Sequence, residues 1–317
     1  MKNIKAYFLI PMVILTAVAC NNQGGFKKTP SGLLYKIVSE GKGEPVKKGQ
    51  FLKLDIIEKI RDSVLYTSQG SVPIFLAVDS VGPNYSPAEI FTMLRKGDSA
   101  LVVQLADSLQ KKANGQPLPS FFKKHDKLTY ILKVLDVFPT EELVKQDRDK
   151  ELQKEKAKEA SVIESYLDSS KIKAEKTAKG TYVVVNSVGD GPKVDSGKQV
   201  SVLYTGKFFP SGKVFESNAT GPRTEPIKFV VGAKGGMIQG WDDGLRLFKK
   251  GGKGTLYIPA FLGYDARQGP GGKPFENLIF DVEIVDVTDA PKTSEGQANA
   301  TNGMPQTLKV NPKPQHK

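Results

Sequence analysis

The sequence contains very few of the side chains that perform nucleophilic or metal-dependent chemistry. Its 317 residues include one cysteine, Cys20, and two histidines, His125 and His316. A single cysteine excludes any disulfide within the chain. Neither histidine lies within residues 176–288, so that stretch can form neither a Ser-His-Asp or Cys-His centre nor an ordinary zinc site. The glycine-rich residues 251–254 lack the spacing of a phosphate-binding loop.

Basic side chains outnumber acidic ones in this chain. Lysine and arginine total 46 against 34 aspartates and glutamates, which gives a formal net charge of +12 at pH 7. Such an excess is typical of proteins that bind nucleic acid or anionic membranes. The basic runs are short and dominated by lysine, however, whereas arginine is the residue suited to bidentate phosphate contacts. We therefore predict no nucleic-acid ligand and interpret the charge as a solvated, lysine-rich surface.

The N-terminal residues 1–19 have the pattern of an export signal peptide. Two lysines precede the apolar residues 6–18, a run too short to span a bilayer as a single helix. Val18-Ala19-Cys20 is similar to the cleavage box of bacterial lipoproteins. The similarity implies that Cys20 becomes the acylated first residue, held to a membrane by several acyl chains. The alternative is an ordinary secretory signal with an incidental cysteine.

A lipidated Cys20 predicts a location in the cell envelope. Residues 20–28 then form a tether between the membrane and the first domain. Asn21 follows the cysteine in place of aspartate, and by similarity to enterobacterial sorting this favours the outer membrane. We expect the protein to face the periplasm.

The chain carries an internal repeat. Thr29-Pro30-Ser31-Gly32 opens one segment, and Thr177-Ala178-Lys179-Gly180 opens another, 148 positions later. A shared order of turn glycines within strand-like sequence indicates duplication. We predict two domains, over residues 29–138 and 176–288. The glycines that recur at the same offset are the pairs Gly41 and Gly189, Gly43 and Gly191, and Gly49 and Gly197.

The segment between the two domains, residues 139–175, is dense in charge and has no glycine or proline after its first residue. Thr140 can act as an N-cap, and the acids after it complement the helix dipole. We predict a stiff helical linker. Its few apolar side chains favour docking on a domain over pairing with another chain. Residues 289–317 are rich in polar side chains and proline and are predicted to be disordered.

Apolar periodicity in the second domain predicts its fold. Residues 227–231 and 278–284 alternate between apolar and polar side chains, so each predicts a strand with one buried face. Residues 200–209 and 255–258 predict two more strands. Apolar side chains in residues 241–248 recur at helical spacing and predict one short helix. The predicted fold class is α+β, with a curved antiparallel sheet wrapped on a short α-helix.

Four motifs follow one another in the second domain. They are Val202-Leu203-Tyr204-Thr205-Gly206, Lys213-Val214-Phe215-Glu216-Ser217, Met237-Ile238-Gln239-Gly240-Trp241-Asp242-Asp243-Gly244 and Phe280-Asp281-Val282-Glu283. In this order they resemble the FKBP-type peptidyl-prolyl isomerases. The resemblance covers residues 176–288 and implies two FKBP-like domains, the first of them degenerate. It implies a site formed by Tyr204, Phe215, Glu216, Phe229, Ile238, Trp241, Tyr264 and Phe280.

The resemblance also implies a role for each residue of this site. Trp241 would be the floor under a proline ring, with the three phenylalanines as walls. The N–H of Ile238 and the hydroxyl of Tyr264 would donate to substrate carbonyls, and Tyr204 would steady the carboxylate of Glu216. No cofactor or metal is needed. The implied partners are proline-containing unfolded or exported polypeptides, and a macrolide of the FK506 type. The alternative for every aromatic is plain core packing.

Some positions depart from the family pattern. Glu216 stands where aspartate is usual, Asp265 stands where glycine is usual, and the loop around Gly272 lacks the usual Ile-Pro-Pro. These differences predict an altered substrate preference. Asp242 and Asp243 lie in the first turn of the predicted helix, and we interpret them as helix-capping and solvated groups rather than as catalysts.

The first domain does not keep the aromatic positions. Alignment through the turn glycines places Ile56 at the position of Tyr204 and Pro87 at the position of Trp241. We therefore predict that this domain kept the sheet, lost the site and serves in binding or spacing. For the whole chain two hypotheses follow, a tethered isomerase that assists the folding of exported proteins, or a non-enzymatic chaperone or assembly factor with a vestigial pocket.

Overall fold

The computed structural model describes residues 25–38, 41, 43–79, 82–220 and 224–291. The chain divides into two compact units, residues 1–148 and 149–317. The predicted signal peptide, Cys20 and residues 292–317 lie outside the described residues. Within the described ranges, no helix has the length and apolar character needed to cross a membrane.

The first unit is a seven-stranded antiparallel sheet with a short helix, α1, at Ala106–Lys112. The strand order is β1-β2-β6-β7-β3-β4, and β5 also pairs with β3. A 3₁₀ helix at Pro87–Met93 covers the inner face. The strands are β1 (Lys27–Lys28), β2 (Leu34–Val38), β3 (Phe51–Ile60), β4 (Ser63–Thr67), β5 (Ile74–Ala77), β6 (Ser99–Leu105) and β7 (Lys127–Phe138).

A long helix, α2 (Glu141–Ser169), begins in the first unit and ends in the second. Charge-rich sequence without glycine or proline explains its length. Its later turns dock on the second unit, where Ile163 and Leu167 are buried against Tyr182, Tyr257 and Ile279. The few apolar side chains of this segment favoured docking of the helix on a domain over pairing with another chain.

The second unit is also a seven-stranded antiparallel sheet, in the order β11-β10-β14-β13-β9-β8, with β12 paired to β10. A short helix, α3 (Gln239–Gly244), continues as a 3₁₀ turn, Leu245–Leu247, and packs on the inner face. Another 3₁₀ turn spans Ala260–Leu262. The strands are β8 (Glu175–Lys176), β9 (Tyr182–Ser187), β10 (Lys198–Phe208), β11 (Val214–Ser217), β12 (Ile227–Val230), β13 (Lys253–Ile258) and β14 (Leu278–Asp289).

The two sheets have the same strand order, and each strand of the first unit therefore has a counterpart in the second. Equivalent glycines also make the same turn. Gly49 and Gly197 have φ of +85° and +79°, a backbone region that residues other than glycine rarely adopt. Their amides donate to Val78 and Val231 at 2.8 and 2.9 Å. The predicted fold class, α+β with two such sheets, is confirmed.

Candidate functional site

The inner face of the second sheet holds an aromatic cluster centred on Trp241. The indole is fully buried in α3. The rings of Tyr204 and Phe280 lie edge-on to it, with centroids at 5.1 and 5.2 Å and interplanar angles of 81° and 82°. Phe229 is tilted against it at 5.8 Å. Edge-to-face pairs of this kind are favourable beyond the area that they bury.

Strand pairing explains why these rings converge. The central strand β10 pairs with β12 on part of its length and with β14 along all of it. Tyr204, Phe229 and Phe280 lie on these three strands and point to the same face, where they join one apolar core. The sequence therefore brings distant aromatic residues together through ordinary sheet register.

Gly206 allows the closest approach in the cluster, although the sequence motif gave it no separate role. A Cβ atom at this position would lie 2.6 Å from Cζ of Phe215 and 3.0 Å from Cε1 of Phe280. The rings of Phe215 and Phe280 meet at 90° with centroids 5.8 Å apart. A glycine inside a strand is a signal of close approach, and it could have identified this position.

A partly exposed rim covers the buried rings. Phe215, Ile238 and Tyr264 are half-buried and pack against the cluster. The indole of Trp241 has no exposed surface, and its role as the floor beneath a proline ring stays a prediction. The indole N–H has no hydrogen-bond partner within the described part of the chain.

Glu216 lies beside the hydroxyl groups of two tyrosines. The hydroxyl of Tyr204 donates a hydrogen bond to Glu216. Burial, followed by the charge of Glu216, raises the pKa of Tyr204 and also that of Tyr264. Both phenols therefore stay protonated at neutral pH and act as hydrogen-bond donors. The role of this pair in substrate binding stays a prediction.

Asn218 positions Tyr204 and was missed by sequence reasoning. Its side-chain oxygen accepts the Tyr204 amide at 2.6 Å, and its nitrogen donates to Val202 at 3.1 Å. Asparagine commonly bonds nearby backbone in this way. It fixes the chain where the loop after β11 returns to β10.

Asp242 and Asp243 have structural roles, but they do not cap α3. Asp242 accepts the amide of Gly232 at 2.8 Å, and Asp243 accepts the hydroxyl of Thr177. The residue at the N-cap position is Ile238, whose side chain makes no capping bond. The capping interpretation is therefore wrong, because each carboxylate bonds a segment outside the helix.

The loop after Tyr264 begins with Asp265, where the family resemblance implies glycine. Asp265 has φ of +55°, which aspartate tolerates better than most residues. Its amide donates to Ala260 and its carbonyl accepts from Phe275, both at 2.8 Å. The glycine-rich turn that follows is closed by Gly271, whose amide donates to Glu276 at 3.0 Å.

The first unit fills the equivalent space differently. Strand register and the turn after the 3₁₀ helix define the counterparts. In place of the aromatic cluster there is a cavity of about 480 Å³. Among these counterparts only Tyr130 is aromatic, and the loss of the site in this unit stays a prediction. The counterparts are Ile56 for Tyr204, Leu76 for Phe229, Glu58 for Gly206, Tyr130 for Phe280 and Pro87 for Trp241.

The chemistry open to the second unit is limited by its residues. The cluster is apolar, and the polar groups that the described residues place beside it include phenols, an indole N–H, backbone amides and the carboxylate of Glu216. Among the described residues, no three or more acidic, cysteine or histidine side chains converge as a metal site. Such a site can pack against an apolar ring and donate hydrogen bonds to peptide carbonyls, and the residues that form the described cluster include no serine, cysteine or histidine.

Comparison with known proteins gives one consistent family. A family model described as FKBP-type peptidyl-prolyl cis-trans isomerase matches residues 191–285. A relative from Haemophilus influenzae, named as a probable FKBP-type peptidyl-prolyl cis-trans isomerase, is 41% identical over 121 residues, which are 38% of this chain and 46% of the relative. An FK506-binding protein of Streptomyces anulatus is 45% identical over 101 residues, 31% of this chain and 79% of the relative.

FkpA of Escherichia coli, an FKBP-type peptidyl-prolyl cis-trans isomerase, is 38% identical over 144 residues, 45% of this chain and 50% of the relative. Its crystal structure aligns at 35% identity with a TM-score of 0.37, over 48% of this chain and 69% of that one. The matched residues span about half the length of the Haemophilus and Escherichia relatives.

Proposed function

Because this chain belongs to the family of FKBP-type peptidyl-prolyl cis-trans isomerases, we propose that it catalyses the cis–trans isomerisation of X-Pro peptide bonds. The second unit carries this activity, since it contains the residues that match the family model. The observation that carries the proposal is the packing of three aromatic rings around Trp241, in a site without a nucleophile.

The physical basis is the polarity of the amide. Rotation about the peptide bond faces a barrier of about 18–20 kcal/mol, because the twisted amide loses its resonance. The carbonyl of the twisted amide is less polar than that of the planar one. A dry aromatic site therefore stabilises the twisted state more than the planar state, and each difference of about 1.4 kcal/mol raises the rate tenfold.

The rim residues bind the substrate backbone in this proposal. The N–H of Ile238 and the hydroxyl of Tyr264 donate to peptide carbonyls on either side of the proline. Ile238 precedes α3 with extended backbone, ψ 145°, and Tyr264 is a protonated phenol. The proline ring packs against the cluster beside Phe215 and Tyr264, which stay in place as the rim of the site.

The proposal also includes a location in the cell. A signal of the lipoprotein type and lipidation at Cys20 would tether the chain to a membrane of the cell envelope, on the periplasmic side of the outer membrane. Its substrates are then unfolded or newly exported polypeptides that contain proline. A macrolide of the FK506 type is a proposed competitor, since the Streptomyces relative is named as an FK506-binding protein.

The test is an isomerase assay with the full chain and a Leu-Pro or Phe-Pro peptide. We expect accelerated cis-to-trans conversion, and Trp241→Leu should lower kcat/KM on the order of 100-fold, since about 2.7 kcal/mol of differential binding corresponds to that factor. Phe215→Ala, on the partly exposed rim, is a second variant with less effect on the core. Circular dichroism checks that both variants fold.

The matched control is Asp242→Asn, which changes the neighbouring residue and should keep activity within a fewfold of wild type. Absence of catalysis by the wild-type chain, or equal loss in Asp242→Asn and Trp241→Leu, contradicts the proposal. Trp241 is the only tryptophan, so its fluorescence reports on this site alone. A Leu-Pro peptide should change the emission, and a Leu-Ala peptide should not.

A further inference from the structure

The cavity of the first unit exists because a proline stands where the second unit has its indole. Pro87 and Ala88 begin the 3₁₀ helix, and neither side chain extends as far as an indole. Close-packed interiors rarely leave such a space empty. A cavity of about 480 Å³ is within the range of ligand sites, about 300–1,000 Å³. Its apolar wall consists of Ile56, Ile74, Leu76, Phe91, Tyr130 and Leu132.

The mouth of the cavity carries one charge. Glu58 is the single carboxylate or cationic side chain among the lining residues, and it is half-buried. The hydroxyl of Tyr130 donates a hydrogen bond to it. Tyr66, also half-buried, interacts with the negative charge of Glu58. The exposed Ala77 marks the side of the cavity that opens to solvent.

Glu58 makes this site chemically different from the aromatic cluster. It occupies the position of Gly206, where even one added carbon would collide with two phenylalanine rings. A carboxylate here is incompatible with a closed aromatic cluster, but it can pair with a cation at the edge of an apolar cavity. Charge complementarity of this kind sets specificity more than it sets affinity.

We propose that the first unit binds, in this cavity, a polypeptide segment that carries a large apolar side chain next to a lysine or arginine. The apolar side chain fills the space of the missing indole, and the cation pairs with Glu58. Proline is not required, since the cavity has no indole floor and carries Glu58 at the position of Gly206. The choice of a polypeptide as the ligand rests on the proposed function, whereas the presence of the cavity is independent of that function.

The test uses the full chain with ¹³C-labelled isoleucine methyl groups and short proline-free peptides. The probes are an acetylated, amidated Gly-Phe-Lys-Gly and its matched counterpart Gly-Phe-Glu-Gly. We expect the Lys peptide to shift the methyl signals of Ile56 and Ile74 and to leave that of Ile258 in the other unit unchanged. It should bind roughly fivefold more tightly than the Glu peptide, as expected of one half-exposed ion pair.

Two variants separate the parts of the proposal. Glu58→Gln keeps the shape and should abolish the preference for Lys over Glu. Ala88→Phe fills the cavity and should weaken binding of both peptides by tenfold or more; if it does not fold, Glu58→Gln still decides. Absence of methyl shifts with the Lys peptide, equal affinities in wild type, or a preference that survives Glu58→Gln overturns the proposal. Because the probes lack proline and the readout is in the first unit, failed isomerase activity would leave this result unaffected.

Discussion

The two units have one strand order and two different interiors. Both form a seven-stranded antiparallel sheet with equivalent turns, in which Gly49 and Gly197 donate to matching carbonyls. Inside, the second unit closes aromatic rings around Trp241, whereas the first leaves a cavity beside Pro87. Turns and strand pairing therefore specify this fold, whereas a few residues that face the interior decide which ligands and reactions each unit can support.

The helix α2 shows the same contrast on the outer side of the sheets. Its early turns bury one apolar side chain, Val144, and otherwise bind the first unit with charged groups. Asp147 pairs with Lys53 at 2.6 Å, and the guanidinium of Arg148 lies 5.2 Å from the ring centroid of Phe75. Its later turns bind the second unit with a buried apolar side chain, Ile163. The second unit should therefore depend more on this helix.

Truncation of Ile163 is expected to have the largest effect on stability. Ile163→Ala removes a fully buried side chain and should lower the unfolding free energy of the second unit by about 3 kcal/mol. Asp147→Ala should cost about 1 kcal/mol or less in the first unit, because partly exposed ion pairs contribute little. Denaturant unfolding followed by Trp241 fluorescence reports the second unit alone.

Val162→Ala is the control for this variant, since its side chain is 45% exposed and adjacent in sequence. It should change stability by no more than about 0.5 kcal/mol. Equal effects of the two substitutions would show that α2 does not stabilise the second sheet. An isomerase fragment that starts at residue 176 would lose this helix, so a fragment for study should begin at residue 149.

Sequence alone predicted the parts of the fold that depend on period and turn chemistry. Alternating apolar residues located β12 and β14, and helical spacing located α3. The short edge strands β8 and β11 carried too few residues to show a period. Register in a sheet follows from which face is buried, and so the convergence of distant aromatic residues could be inferred once the family motifs were recognised.

The closed rim and the cavity could not be predicted in this way. Both depend on how side-chain volumes fit after folding, and a one-dimensional pattern does not contain distances. The absence of an indole at Pro87 was visible in the sequence, but whether neighbours would fill the space was not. The partners of Asp242 and Asp243 were missed for a similar reason, since they lie in loop segments outside the helix, 10 and 66 positions away along the chain.

A buried carboxylate on α2 gives the second unit a pH dependence that the charged contacts of the first unit do not share. Glu159 accepts the amide of Phe261 at 2.8 Å, and its other oxygen has no partner in the described residues. Burial raises its pKa to about 7, with Glu155 and Asp265 adding to the effect. The folded state therefore keeps a proton that an unfolded carboxyl, with a pKa of 4.5, releases.

The sign follows from proton linkage. The folded state binds more protons than the unfolded state between pH 4.5 and 7, so the unfolding free energy of the second unit falls as the pH rises through this window. The loss is roughly 2–3 kcal/mol at about 1.4 kcal/mol per pKa unit. Glu159→Gln should remove this decline, and Glu142→Gln, at an exposed position on the same helix, should not. A decline that persists in Glu159→Gln assigns it to another group.

Substitution of Gly206 tests whether this one position accounts for the difference between the interiors of the two units. Gly206→Ala places a carbon 2.6 Å from Phe215, so the second unit should lose about 2 kcal/mol of stability through overpacking. Isomerase activity should fall with it, because Phe215 and Phe280 must move apart. The measurement combines unfolding by fluorescence with the peptide assay.

Gly236→Ala is the control in the same unit, since its added carbon would have no atom nearer than 3.5 Å. It should have little effect on the packing of the cluster. If Gly206→Ala behaves like Gly236→Ala, the cluster has room for a side chain. Glu58 would then not explain why the first unit lacks the aromatic arrangement.

The smallest expected effect concerns Asp265, where the second unit departs from its family. Its φ of +55° is left-handed, and glycine adopts that region without strain. Asp265→Gly should stabilise the folded state by about 0.5 kcal/mol, since part of the relief is offset by the greater freedom of the unfolded chain. It should also lower the pKa of Glu159, because the charge of Asp265 helps to raise it.

Asp265→Ala separates backbone strain from a contribution of the carboxylate. Alanine also removes the charge, but it tolerates a left-handed φ less well than aspartate, so it should destabilise the unit by about 1 kcal/mol. Opposite signs for glycine and alanine would therefore identify strain as the cause. Destabilisation by both would mean that the aspartate side chain itself holds the loop, in which case its presence beside Tyr264 shapes the rim of the site and is not merely tolerated there.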